Sequence, residues 1–361
     1  MSRFQQFHRR IVLQGVKSPA EKILLLLLMP LSFLYGMVGW LRGKGYDWQI
    51  FSTYRPAVPV ISVGNLAAGG TGKTPVVDWL LKEFIRQGKR PAVVSRGYGG
   101  TFRGNVGLVA TGTGPLLSAT EAGDEPYLLA RRNPQALVFI ARRRADGVKV
   151  AVEEYAADLI ILDDGFQHRA VARSLDLVLL DAKCPLGNGL PLPAGLLREF
   201  PSALHRADLL LLTRSETESA FGFSTKPVFK SQHRLAEYAV QLGGKQVPFA
   251  ALSKQRLFAF AGIADPENFF SSLKLAGLQI ADRLVLSDHS DYNPGILESI
   301  RAAAKGFDGL ITTEKDAVKL AAESFELPCY QVPMSIHVEN VDDFKAEIVQ
   351  RLWRKQNGST S

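Results

Sequence analysis

The chain has 361 residues, a formal net charge of +8 and only two cysteines, Cys184 and Cys329. That length exceeds one ordinary core and predicts two globular units, while two distant cysteines without CxxC or Cys/His spacing exclude a disulfide framework and a zinc site. An apolar fraction of 46% with 22% charged residues excludes a disordered chain, and the basic surplus points to an anionic partner without choosing one.

The first element is a greasy helix. From Ile23 to Leu41 the sequence ILLLLLMPLSFLYGMVGWL carries no charge, and as a helix it is roughly 28 Å long, close to the thickness of a bilayer core. Its flanks are basic, with Arg3, Arg9, Arg10, Lys17 and Lys22 before it and Arg42 and Lys44 after it. Such a segment predicts membrane contact, and Pro30 predicts a kink within it. A buried core helix is the alternative, although core helices usually carry a polar stripe.

A short apolar strand, Val58 to Val63, then runs into Gly64-Asn65-Leu66-Ala67-Ala68-Gly69-Gly70-Thr71-Gly72-Lys73-Thr74-Pro75 and a helical stretch. Strand, glycine loop and helix stand in the order of a phosphate-binding loop, although the first glycine of GxxxxGK[ST] is replaced by Ala67. Gly69, Gly70, Thr71 and Gly72 turn backbone N–H groups toward phosphates, Lys73 contacts the β and γ phosphates, and Thr74 ligates magnesium. ATP with Mg2+ is therefore the expected nucleotide pair. Because ATP is cytosolic, export of the domain that follows the greasy helix is rejected. A spanning helix with its more basic flank inside would also put the loop outside, so the expectation is an interfacial or re-entrant helix at the cytoplasmic face of the membrane.

Further along, Ala157 to Leu162 is an apolar run without alternation, as in a central parallel strand, and it ends in Asp163-Asp164-Gly165-Phe166-Gln167-His168. Carboxylates at that end of a strand sit beside the phosphate loop, where a magnesium ligand belongs, so Asp163 and Asp164 join Thr74 as metal candidates. Similar runs recur at LDLVLLDA, ADLLLLTR, LFAFAGI and GLITTEKD, alternating with helical patterns. This predicts an α/β fold with a P-loop NTPase-like doubly wound parallel sheet. The expected organisation is a membrane-associated helix over 1–45, a P-loop kinase domain over 46–218, a β-ribbon linker over 219–255 and a smaller C-terminal α/β lobe over 256–361.

The motifs GGTGKTP, SRGYGG (95–100), GDEP (123–126), DDGFQH (163–168) and LPAGLLRE (192–199) stand in that order, followed by Asp288-His289 with Tyr292 and by Thr312 to Asp316. Together they resemble the tetraacyldisaccharide 4'-kinase family, the lipid A kinases of Gram-negative bacteria, over nearly the whole chain. The resemblance implies transfer of the ATP γ-phosphoryl group to the 4' hydroxyl of tetraacyldisaccharide 1-phosphate, an anionic glycolipid, at the cytoplasmic side of the inner membrane. A sugar hydroxyl is a weak nucleophile, so a carboxylate that accepts its proton is useful. Asp124 matches the family's proposed base, and His289 resembles the histidine that assists it. Tyr98, Glu125, Gln167, His168, Arg198 and Glu199 are candidates for positioning nucleotide or substrate. With Asp124 in one lobe and His289 in the other, the site is expected to assemble by domain closure.

Plainer readings stand beside these. Asp124 could cap the helix beginning near Pro126, His289 could be an ordinary loop histidine, and Arg142 to Arg144 could be a solvated basic face rather than a phosphate cluster. The rival function is a MinD-like membrane-associated ATPase switch, but such proteins usually carry a lysine where Ala68 stands. A GTPase lacks its NKxD motif here. No aromatic-interleaved basic motif supports nucleic-acid binding, and no nucleic-acid partner is expected.

Overall fold

A computed structural model of the chain describes residues 10–12, 15, 17–215 and 225–357. The long helix α1 (Pro19–Asp47) is capped by Ser18, whose hydroxyl accepts from the Glu21 amide. Pro30 lies inside it without ending it. Of the basic flank, Arg3 and Arg9 lie outside the described residues, and Arg10 pairs with the buried Glu21 carboxylate.

The first lobe is built on strands β1 (Val60–Asn65), β2 (Pro91–Ser95), β3 (Val106–Thr111), β4 (Leu137–Ala141), β5 (Leu159–Asp163), β6 (Leu175–Asp181), β7 (Leu209–Thr213) and β8 (Val228–Leu235). Helices α2 (Lys73–Arg86), α3 (Asp124–Arg132) and α4 (Arg144–Glu153) connect them. The apolar runs predict central strands, and β1, β2, β4, β5 and β7 are buried at every position because helices cover both faces. β1 lies between β5 and β6, both parallel to it. The carboxyl ends of β1, β2 and β5 therefore open on one crevice, where the order of strands reverses.

The second lobe contains β9 (Tyr238–Gln241), β10 (Gln246–Pro248), β11 (Leu257–Ala261), α5 (Pro266–Leu275), β12 (Ile280–Val285), α6 (Pro294–Ala303), β13 (Gly309–Thr313), the single turn α7 (Glu314–Ala317) and β14 (Cys329–Val332). Its sheet order is β10-β9-β14-β13-β11-β12, with the last four parallel.

The expected domain limits need two corrections. The chain does not stay in the second lobe after residue 256: β15 (Met334–Val338) pairs antiparallel with β8 at the edge of the first sheet, and α8 (Val341–Asn357) follows it. Phe344, Ile348 and Leu352 are buried in the same core as Leu80 and Phe84 of α2, so the C-terminal helix covers apolar surface of the first lobe. Nor is the segment from 219 to 255 only a linker, since β8 pairs in parallel with β7 and extends the first sheet. The expected boundary at 218 itself lies outside the described residues.

Candidate functional site

The crevice is a cavity of about 950 Å³ lined by the phosphate loop, the end of β5, residues of the second lobe and the α1 side chains Tyr35, Val38, Arg42 and Tyr46. Gly69 to Thr74 all line it. Gly72 caps α2 with φ +77°, a conformation that favours glycine. A Cβ there would also strike the His233 ring, so position 72 needs glycine for space as well as for backbone angle. The loop's first residues are tied down from outside: Ala68 N donates to Leu196 O at 2.6 Å, Arg198 N to Leu66 O at 2.8 Å, and Asn65 Nδ2 to Ala67 O at 2.6 Å. These bonds hold the loop at Ala67, where the general phosphate-loop pattern has its first glycine.

Lys73 Nζ donates to Asn65 Oδ1 at 3.2 Å and lies 3.4 Å from Asp164 Oδ1. Asp163 is buried at the end of β5, where Ser95 Oγ donates to its Oδ2 at 3.1 Å. Burial, with Glu125 and Asp164 nearby, pushes its pKa up to about 6. Its Oδ1 is buried without a partner, as is Thr71 Oγ1. A buried carboxylate oxygen left unpaired beside a phosphate loop fits a divalent cation, which takes few protein ligands when phosphates and water supply the rest.

Asp164 is engaged differently from Asp163. Arg198 Nη1 donates to both of its oxygens, at 2.9 and 2.8 Å. Burial would raise its pKa, but Lys73 and Arg198 outweigh burial and hold the carboxyl below its ordinary value. Its charge is thus matched by two cations, and Asp163 is the better metal candidate. Glu199 differs as well, because Arg206 grips both its oxygens at 2.7 and 2.9 Å, leaving it to hold the segment rather than a ligand. Gln167 donates to Asn65 O at 3.0 Å and supports the loop from behind.

Asp124 opens α3, but its side chain makes no cap. Instead it is buried, with His289 Nδ1 3.0 Å and Lys319 Nζ 2.8 Å from Oδ2. Burial would raise its pKa, yet the bonds to His289 and Lys319 prevail and hold it below the carboxylate range. His289 sits at φ +60° in the loop after β12, and its Nε2 lies 3.2 Å from Lys315 Nζ. An ammonium only donates, so Nε2 accepts and the ring proton resides on Nδ1, directed at Asp124. Lys315 also donates to Glu125 at 3.1 Å. Burial raises the Glu125 pKa, but Lys315 and Lys73 together turn the balance and lower it. Tyr98 closes this corner, its exposed ring edge-on to His289 at 5.6 Å between centroids.

The two lobes thus already meet at Asp124 and His289, and no closing motion is needed to join them. Of the three arginines after β4, Arg142 and Arg143 are exposed, whereas Arg144 is buried and lines the cavity. Burial lowers its pKa to about 10, with Asp163 and Asp164 opposing. Burial, aided by Arg144, likewise depresses His168 to about 4, so that ring is neutral. Lys315 and Lys319 are the residues that sequence reasoning missed. Their four-residue spacing after an apolar strand was the available signal, since it puts both on one side of a turn at the crevice.

A model of the family described as tetraacyldisaccharide-1-P 4'-kinase matches residues 24–353. The tetraacyldisaccharide 4'-kinase of Syntrophotalea carbinolica is 49% identical over 93% of this chain and 94% of its own length. That of Geobacter metallireducens is 45% identical over 83% of this chain and 90% of its length. Among solved structures, an "apo" form of LpxK from Aquifex aeolicus in complex with ATP superposes with a TM-score of 0.78 at 33% identity, covering 91% of this chain and 99% of that one.

Proposed function

The chain belongs to the tetraacyldisaccharide-1-P 4'-kinase family, and from that membership we propose a division of labour among its cavity residues. The enzyme transfers the γ-phosphoryl group of ATP to the 4' hydroxyl of tetraacyldisaccharide 1-phosphate in lipid A biosynthesis. In the proposed scheme the acceptor oxygen bonds to the γ-phosphorus as the bond to the β–γ bridging oxygen breaks, ADP leaves, and the hydroxyl proton passes to Asp124. Both donors to Asp124 fall on Oδ2, so in this scheme Oδ1 is the oxygen that takes the proton. His289 donates from Nδ1 and steadies the carboxylate as the proton arrives.

The phosphate loop and Lys73 hold the triphosphate. Thr74 and Asp163 would hold Mg2+, which neutralises charge on the phosphates when bound. Arg198 and Asp164 set the position of Lys73. Tyr98 and Glu125 line the place where the nucleotide and acceptor meet. The apolar surface of α1 would rest on the cytoplasmic face of the inner membrane and present the acyl-bearing substrate to the cavity.

The observation that carries this reading is that one cavity joins the phosphate loop, the greasy helix and His289, whose Nδ1 lies 3.0 Å from Asp124 Oδ2 just behind the cavity wall. A membrane-associated ATPase switch needs no such proton-accepting pair. The test is to incubate the protein with γ-labelled ATP and either the disaccharide 1-phosphate or a water-soluble sugar. Label is expected in the lipid alone; equal labelling of the soluble sugar, or of neither, would defeat the assignment.

A further inference from the structure

Lys319 belongs to neither the phosphate loop nor the acidic strand end, yet it reaches the proposed base from the opposite lobe. Its side chain is 13% exposed, and its Nζ lies 2.8 Å from Asp124 Oδ2. It also donates to the backbone oxygen of Ser290 at 2.9 Å and lies over the Tyr292 ring, 6.0 Å from its centroid. An ammonium has three donors, and two of them are taken by protein while the Tyr292 ring lies beside it. Unlike Lys73 at the loop, Lys319 does not line the cavity. Its two polar contacts instead join the carboxylate of Asp124 to the backbone next to His289.

We propose that Lys319 is a positioning residue for phosphoryl transfer: it locks Asp124 and the His289 loop in one register, with Oδ2 engaged and Oδ1 left for the acceptor hydroxyl. This rests on the reading of Asp124 as base. Without Lys319 the carboxylate keeps only the imidazole donor, so it can turn either oxygen to the acceptor and the hydroxyl no longer meets a fixed lone pair. Misplacement of this kind lowers turnover without weakening nucleotide binding.

A pH signature separates this role from a merely structural one. The charged and titratable groups acting on Asp124 are His289 from the loop after β12 and Lys319 and Lys315 from α7 and its exit, with Asp288 and Glu125 beside Lys315. Lys319 is the nearest cation. Its neutral replacement leaves a buried carboxylate with less compensation and raises the pKa at which Asp124 loses its charge.

The experiment uses the full-length protein in mixed micelles with the disaccharide 1-phosphate, recording kcat/KM for the acceptor against pH for wild type, Lys319→Met, Lys319→Arg and Asp124→Asn. Lys319→Met is expected to move the acidic limb upward by about one unit or more and to lower kcat with the dissociation constant of a fluorescent ATP analogue unchanged. Lys319→Arg is expected to restore both toward wild type. An acidic limb that coincides with the wild-type one, or stays below the accessible range in both, overturns the inference. If Lys319→Met does not accumulate as folded protein, Lys319→Gln serves the same comparison. An Asp124→Asn enzyme with wild-type turnover would instead remove Asp124 as base, so the two failures are told apart.

Discussion

At the scale of single residues, the site is a set of buried charges whose partners decide what each can do. Asp163 and Asp164 are adjacent in sequence, yet one oxygen of Asp163 is unpaired and both oxygens of Asp164 are held by Arg198. The sequence could place both at the end of a buried strand but not divide their roles, because Arg198 arrives from 34 residues away. Asp163→Asn keeps the shape and removes the charge, and it is expected to raise the magnesium concentration for half-maximal activity by more than about tenfold. A magnesium titration of initial rates checks this, and an unaltered midpoint would take Asp163 out of the metal set. His233 offers a prediction in acid. Burial, with Arg214 beside it, lowers its pKa from 6.5 to about 4. The folded pKa lies below the unfolded one, so its share of stability is complete above pH 6.5 and is lost as pH falls toward 4. Relative to His233→Gln, the wild type is expected to lose about 3 kcal/mol more at most across that window, measured by urea unfolding at pH 7 and pH 4. Equal losses in both proteins would contradict it.

At the scale of elements, composition made the phosphate loop, the parallel strands and α1 legible, because each is specified by residues close together in the chain. How α1 sits was not legible. It docks by a narrow strip: Ser32 Oγ donates to Pro191 O at 2.6 Å, and at Gly36 a Cβ would come within 2.5 Å of the Phe200 ring. Most of its apolar surface stays exposed, with Leu27 69%, Phe33 62% and Val38 60% exposed. Of its most apolar window only 11% is buried. That answers the core-helix alternative, since such a helix would hide most of its surface. Burying an exposed leucine in lipid is worth about 1.5 to 3 kcal/mol, so replacing Leu27 and Leu31 by Gln removes at least about 3 kcal/mol of membrane affinity, roughly a hundredfold in partition. Vesicle sedimentation at fixed lipid is expected to show that drop with ATP binding intact. Unchanged partition would mean that α1 is not the anchor.

At the scale of the whole molecule, the return of β15 and α8 to the first lobe was invisible in the sequence, because nothing local distinguishes a strand that completes its own lobe from one that crosses back. The result is a second lobe inserted between β8 and β15 and tied to the first on both sides of the crevice. Arg132, at the far end of α3 from Asp124, is the centre of one tie. Its guanidinium donates to Met334 O at 2.8 Å and lies 3.1 Å from Asp78 Oδ2 and 3.3 Å from Glu314 Oε2. Asp78 has other partners in Lys82 and Asn133 at 2.8 Å each, so Arg132→Ala chiefly strands Glu314, which keeps only the Met334 amide at 3.2 Å. Leaving a buried carboxylate so poorly compensated is expected to cost about 2 to 4 kcal/mol. Burial already raises the Glu314 pKa against the pull of Arg132, and losing the arginine raises it further. With the folded pKa above the unfolded one, stability is retained at low pH and lost as pH rises through the folded value. Denaturant unfolding of Arg132→Ala should therefore show a larger deficit at pH 8 than at pH 4, below the ordinary glutamate value of 4.5, and Arg132→Ala with Glu314→Gln should recover part of it. A deficit independent of pH and unrelieved by the second change would mean that this tie is held by the Met334 carbonyl rather than by charge.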